Sequence, residues 1–199
     1  MSNRVELRIG SVFVWAVREA VAVAEVRGVN DQDVELARAV VLGSAPSMTW
    51  LPDDFDHPRR LYLPTGHHLR PISAADADID YPAVMGSRER LWAKYGQIWG
   101  WPPATMTFEA DRNDLARHEA EIAAHETFNY AVLDEDETEL LGCVYIDPPD
   151  ERSPAGADAV SSWWVVDREA GGSLEHALDD AIPRWLEQAW AFRYVHYSP

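Results

Sequence analysis

Apolar and polar positions along this chain recur with two periods, and the two meet most clearly in residues 159–190. Ala159-Val-Ser-Ser-Trp-Trp-Val-Val-Asp167 is apolar almost throughout. Extended, it sets Val160, Trp164 and Val166 on one face and Trp163 and Val165 on the other, so both faces need cover, as in an interior strand. Arg168-Glu-Ala-Gly-Gly-Ser173 then reads as a turn. After it Leu174, Ala177, Leu178, Ala181, Ile182, Trp185, Leu186 and Ala189 recur every three or four residues, the stripe of a helix packed on a sheet. Gly171 and Gly172 free the backbone to turn, Ser173 is the expected N-cap, and Pro183 is expected to kink the helix against the carbonyl of Asp179. A strand running through glycines into a helix aims free N–H groups and a positive dipole end at one corner, which suits phosphate.

The rest of the chain divides in three. Residues 1–43 read as an N-terminal extension: Val5, Leu7 and Ile9 alternate as a short strand, and Asn30 or Asp31 caps a helix that stops at Gly43. Residues 44–66, rich in Pro, Asp, Ser and His, read as a connector, and 67–199 as the main domain. There the pattern predicts a strand over 68–72, then a helix capped by Ser73 and reaching about 95. Trp-Gly-Trp-Pro-Pro at 99–103 breaks it, and a second helix runs from Thr105 or Thr107 to about 126. A hairpin joins 128–133 to 139–146 through the acidic turn Asp134 to Glu137, expected to be a solvated tip. A final strand occupies 193–197.

Composition narrows the class. The 199 residues are 47% hydrophobic with nine tryptophans, enough for a substantial core. A formal net charge of −17 argues against nucleic-acid or anionic-membrane partners. Lys94 is the only lysine, so an anionic ligand must rely on backbone amides and a few arginines. Cys143, the single cysteine, lies in an apolar run and reads as a small buried hydrophobe, with no disulfide framework. The first residues lack the layout of a signal peptide, nothing approaches membrane-spanning length, and the cytoplasm is the expected location.

The succession strand, helix, helix, hairpin, buried strand, helix, strand over residues 67–197 resembles the Gcn5-related N-acetyltransferases. The family's phosphate loop runs Arg or Gln, two residues, Gly, one residue, then Gly or Ala; Arg168, Gly171 and Ser173 take those places here. The resemblance implies an α/β (α+β) fold, a mixed sheet with helices on both faces. It also implies acetyl-CoA as cofactor, its pantetheine arm along Trp164, Val165 and Val166 and its pyrophosphate on Arg168, Gly171, Gly172 and Ser173. A small amine would be the acceptor. On this resemblance the family's usual closing helix and two strands, with the helix tyrosine that often serves as general acid, find no counterpart before Pro199, and the chain would be an atypical member. A catalytically silent module that binds a ligand or a protein is therefore the second reading. The N-terminal extension or a homodimer would cover the sheet edge those strands normally cover.

Other constellations remain. Trp92, Tyr95, Trp99 and Trp101 cluster at the helix junction, where they line an acceptor pocket or glue helices to the sheet; the pattern leaves both open. Tyr145 and His176 are the candidates for proton transfer. His118, Glu121 and His125 share a helix, but with no metal motif around them they read as packing or solvated residues.

Overall fold

A computed structural model describes residues 50–52 and 54–198; the expectations for residues 1–43 lie outside them. Six strands form one sheet in sequence order: β1 (Leu61–Tyr62), β2 (His68–Pro71), β3 (Phe128–Leu133), β4 (Leu140–Asp147), β5 (Ala159–Val165) and β6 (Val195–Tyr197). All neighbours pair antiparallel except β5 and β6, which run parallel. The helices are α1 (Ala77–Gly86), α2 (Arg88–Trp99), α3 (Phe108–Ala123) and α4 (Ser173–Ala189). No helix among the described residues is long and apolar enough to cross a membrane.

Strand register assigns the two faces. Tyr130, Val144 and Trp163 are cross-strand partners and share one face, which α4 covers: Trp185 meets Tyr130 edge-on at 5.1 Å, and Asp179 accepts the Trp163 indole N–H at 3.0 Å. Ala131, Cys143 and Trp164 share the other face, as do Asn129, Tyr145 and Ser162. There α1 brings Asp80 to Cys143, α2 brings Tyr95 to Tyr145, and α3 brings His118 to Tyr145. The sheet is thus mixed, with helices on both faces.

Several local expectations are corrected. The single helix expected from Ser73 to about 95 is a 3-10 turn at Ala74–Asp76, then α1, then α2, interrupted at Ser87. Gly86 weakens the helix there, and the Ser87 hydroxyl accepts the Asp167 amide at 3.1 Å, a tertiary bond that no local pattern announces. Thr107 is the cap of α3, accepting from Ala110 at 3.2 Å. Ser173 is the first residue of α4 rather than its cap, which is Gly172, and α4 passes through Pro183 without interruption. Residues 50–66 contain β1 and bury Leu51, His57 and Leu63. The acidic tip is solvated except at Glu137, which accepts from Arg60 at 2.8 Å and Arg70 at 2.7 Å and lies 2.9 Å from His68. The Arg70 bond, against some burial, holds the Glu137 carboxyl at about 2.

Candidate functional site

The site begins with the direction in which each residue of β5 turns its backbone. Val166 donates to Leu141 of β4 at 2.8 Å, while Ser161 accepts from Ser198, just past β6, at 2.9 Å. Since successive residues of a strand turn to opposite sides, Trp164 and Val166 face β4, and Ser161, Trp163 and Val165 face β6. Pairing with β6 stops at Ser161↔Tyr197, so among the described residues no strand covers β5 at Trp163 and Val165. Of the three residues expected to carry a pantetheine arm, only Val165 turns its backbone to this open edge. Trp163, outside that set, is its neighbour there.

Two cations of α2 lie on the open edge. Lys94 donates to the Trp163 carbonyl at 2.9 Å; Arg90 donates to the Val165 carbonyl and to Asp167 Oδ1 at 2.8 Å. Neither was assigned to the site from the sequence, because nothing in a lone lysine or arginine tells which strand edge it will meet. Burial lowers the pKa of Lys94; the charge of Glu175 opposes that effect and Arg90 reinforces it.

The edge leads to the turn before α4. Asp167–Glu169 is a 3-10 turn whose closing bonds occupy the amides of Glu169, Ala170 and Gly172. Gly171 takes the left-handed conformation at φ +69°, which favours glycine, and donates to Glu175 Oε2 at 2.6 Å. The first helical bond of α4 runs from His176 to Gly172, so among the described residues the amides of Ser173, Leu174 and Glu175 have no acceptor. Arg168 points its side chain away, to Glu139 at 2.7 Å. The corner expected from the sequence exists, and its donors begin at Ser173.

Across the sheet from α4 lies an aromatic group. Trp99 stacks on Tyr95 with ring centres 4.6 Å apart and planes 4° apart; Tyr145 meets Trp99 at 5.4 Å and Tyr95 at 5.9 Å; Trp101 spans Tyr95 at 5.9 Å and Trp164 at 6.2 Å. Three of the four expected pocket aromatics therefore meet, together with Tyr145 and Trp164. Trp92 stands apart, 41% exposed, with the Arg88 guanidinium 5.4 Å from its ring. Tyr145 Oη accepts the Trp164 indole N–H at 3.1 Å, and among the described residues its own proton has no acceptor. Burial, reinforced by Cys143 and Tyr95, pushes its pKa well up, so it holds that proton at neutral pH. His176 is exposed on α4, on the opposite face of the sheet.

Beneath the aromatics is an acidic group the sequence reading passed over. Asp80 and Asp111 are both buried, and Cys143 Sγ lies 3.9 Å from Asp80 Oδ1. Burial and the charge of Asp111 push the Asp80 carboxyl up; burial brings Asp111 to about 6, its hydrogen bond with Asp80 opposing. Their signal was present, since Asp80 falls on the stripe of Ala77 and Val84, and Asp111 on that of Leu115 and Ile122. His118 lies 3.6 Å from Asp114 and 3.3 Å from Glu121; burial lowers its pKa, but the two carboxylates outweigh this and bring it to about 9. His125 turns instead to His57 and Phe128.

No protein-family model matches the chain, and no curated protein matches its sequence. Its fold does match solved structures. The ribosomal L7/L12 alpha-N-protein acetyltransferase RimL in complex with coenzyme A aligns with a TM-score of 0.50 at 14% identity, over 63% of this chain and 67% of that one. The ribosomal-protein-S5-alanine acetyltransferase from Vibrio fischeri gives 0.44 at 18% identity, over 61% and 64%. RimJ from Mycobacterium smegmatis in complex with a CoA-disulfide gives 0.42 at 20%, over 67% and 66%. The chain thus spans a little under two thirds of the length of the Vibrio fischeri enzyme. The likeness is one of fold, and places the protein in a class built on one mixed sheet with helices on both faces. In particular, it has the fold of the Gcn5-related N-acetyltransferases.

Proposed function

We propose that the protein binds an acyl-CoA across the open edge of β5 and transfers the acyl group to an amine. The observation that carries this is the end of β5–β6 pairing at Ser161↔Tyr197, which leaves two backbone positions open on the strand that leads into the turn before α4. An amide-bearing arm can add to the edge as a short strand, while Ser173, Leu174 and Glu175 donate to its phosphates. The thioester then lies where β5 and β6 part, next to the aromatic group. Acetyl is the acyl group and a small amine the acceptor we assign. When bound, acyl-CoA supplies an activated acyl carbon and a thiolate leaving group. Tyr145, protonated and with its hydrogen unengaged, is the group we assign to protonate that thiolate. His176, exposed on the opposite face, has no part in this assignment.

A second reading, a silent ligand-binding module, draws on the occupied edge. Lys94 and Arg90 already satisfy the two carbonyls, and Glu175 already takes the Gly171 amide. Thermal-shift titration with CoA and acetyl-CoA, followed by thiol release with a panel of small amines, separates the readings. Stabilisation with turnover supports the transferase, and stabilisation without turnover supports the silent module. No stabilisation at millimolar ligand removes both acyl-CoA readings, because a ligand that prefers the native state must raise its stability.

A further inference from the structure

The chain contains one lysine, and the fold spends it at the open edge. Lys94 is half-buried on α2, and its Nζ donates to the Trp163 carbonyl at 2.9 Å, the backbone position where β5 loses its partner. A surface lysine placed for solubility would extend into water, and the other cation on this edge, Arg90, is a guanidinium that does not act as a nucleophile. Lys94 Nζ also lies 5.4 Å from the centre of the Tyr95 ring, so the amine sits between the aromatic group and the edge.

We propose that Lys94 is a self-acylation site, modified by an acyl-CoA bound along the β5 edge. The proposal rests on the reading that an acyl-CoA lies there. A ligand arm that pairs with the Trp163 carbonyl displaces the Lys94 hydrogen bond and leaves Nζ beside the arm. In its amine form, Nζ attacks the thioester carbonyl carbon; the C–N bond forms, the C–S bond breaks, and the proton released by nitrogen goes to the thiolate. The products are an amide on Lys94 and free CoA thiol, with no oxidant or further reactant. Proximity supplies the rate, since the amine is held against the bound donor instead of meeting it from solution. Burial lowers the cost of the amine form, with Arg90 in the same sense and Glu175 and Asp179 opposing. The acylated side chain keeps an N–H for the Trp163 carbonyl but loses its charge, so modification changes the edge for the next ligand.

The experiment is intact-mass and peptide mass spectrometry of the full chain incubated with acetyl-CoA. Two controls run beside it: the folded chain with acetyl phosphate, an untemplated donor, and the urea-unfolded chain with acetyl-CoA. One acetyl group per chain on Lys94, formed at least about tenfold faster than in either control, is the expected result. Lys94→Arg keeps the cation and its hydrogen bond and removes the nucleophile, so the acetyl group is lost from a chain whose folding circular dichroism verifies. Equal rates in folded and unfolded chains, or acetylation of the N-terminal amine with Lys94 unmodified, overturns the proposal. Melting with CoA is followed in parallel. Stabilisation without modification overturns self-acylation and leaves the binding reading standing; no stabilisation overturns the binding reading itself.

Discussion

The Glu175 carboxylate accepts the Gly171 amide at 2.6 Å, so the turn between β5 and α4 holds an anion of the protein's own. A carboxylate in the first turn of a helix favours the dipole, and the same charge repels a phosphate that approaches the adjacent amides. Glu175→Gln keeps an acceptor oxygen for Gly171 and removes the charge. Its CoA affinity is expected to rise about three- to tenfold at low ionic strength, with a loss of up to about 1 kcal/mol in stability. Isothermal titration at two salt concentrations measures the change; an unaltered affinity would place the phosphates elsewhere.

Gly142 lies opposite Val165, and a Cβ built on it would come within 2.0 Å of the Trp164 carbonyl oxygen. Backbone cannot retreat as a flexible side chain can. Gly142→Ala is therefore expected to cost at least about 1–3 kcal/mol by forcing β4 and β5 apart. Urea denaturation reads this directly. A wild-type midpoint would mean that the two strands do not approach so closely in solution.

Asp80 and Asp111 share a buried site: burial and the Asp111 charge push the Asp80 carboxyl up, and burial brings Asp111 to about 6 against its hydrogen bond with Asp80. A folded pKa above the unfolded one means the native state binds more protons, so stability falls as pH rises from about 4 through 6 and beyond. Asp80→Asn removes that cost. The variant is expected to match or exceed wild type by about 1–3 kcal/mol near pH 7.5 and to lose its advantage near pH 4. Denaturation at the two pH values decides it, and a variant destabilised at both would show that Asp80 is charged and paired.

His118 has the opposite sign. Its pKa is raised to about 9 by Asp114 and Glu121 despite burial, and Asp114 is held at about 2, burial opposed by His118 and Arg117. The stabilisation of the imidazolium is complete below about pH 6.5 and is lost as pH climbs through about 9. His118→Gln should therefore flatten the stability profile between those values, removing about 1–3 kcal/mol at the acid end. Histidine titration followed by NMR gives the second check, and a midpoint near 6.5 would refute the pairing.

Much of the frame was legible beforehand because it depends on local periodicity. Apolar runs and alternation located 128–133 and 159–165 to the residue at their starts, and the three- and four-residue stripe located α4 within one residue at each end. Helix caps were less secure. Thr107, one of the two candidates, is the cap of α3, whereas Ser173 lies inside α4 and leaves the cap to Gly172. The break at Ser87 was invisible because its hydroxyl serves Asp167, eighty positions away.

The sequence by itself determined most of the order of strands and helices from residue 68 onward and the glycine corner before α4, and it predicted an aromatic cluster over 92–101. Each of these follows from neighbours in the chain. Only the tertiary structure decided that Trp163 and Val165, rather than Trp164 and Val166, turn to the open edge. That parity is set by which side of β5 meets β4, and one residue of register reverses it. It also decided that Lys94 and Arg90 reach that edge, that Trp92 leaves the aromatic group, and that Tyr145 and His176 lie on opposite faces. These relations join residues far apart in the chain, where packing and strand pairing act and periodicity is silent.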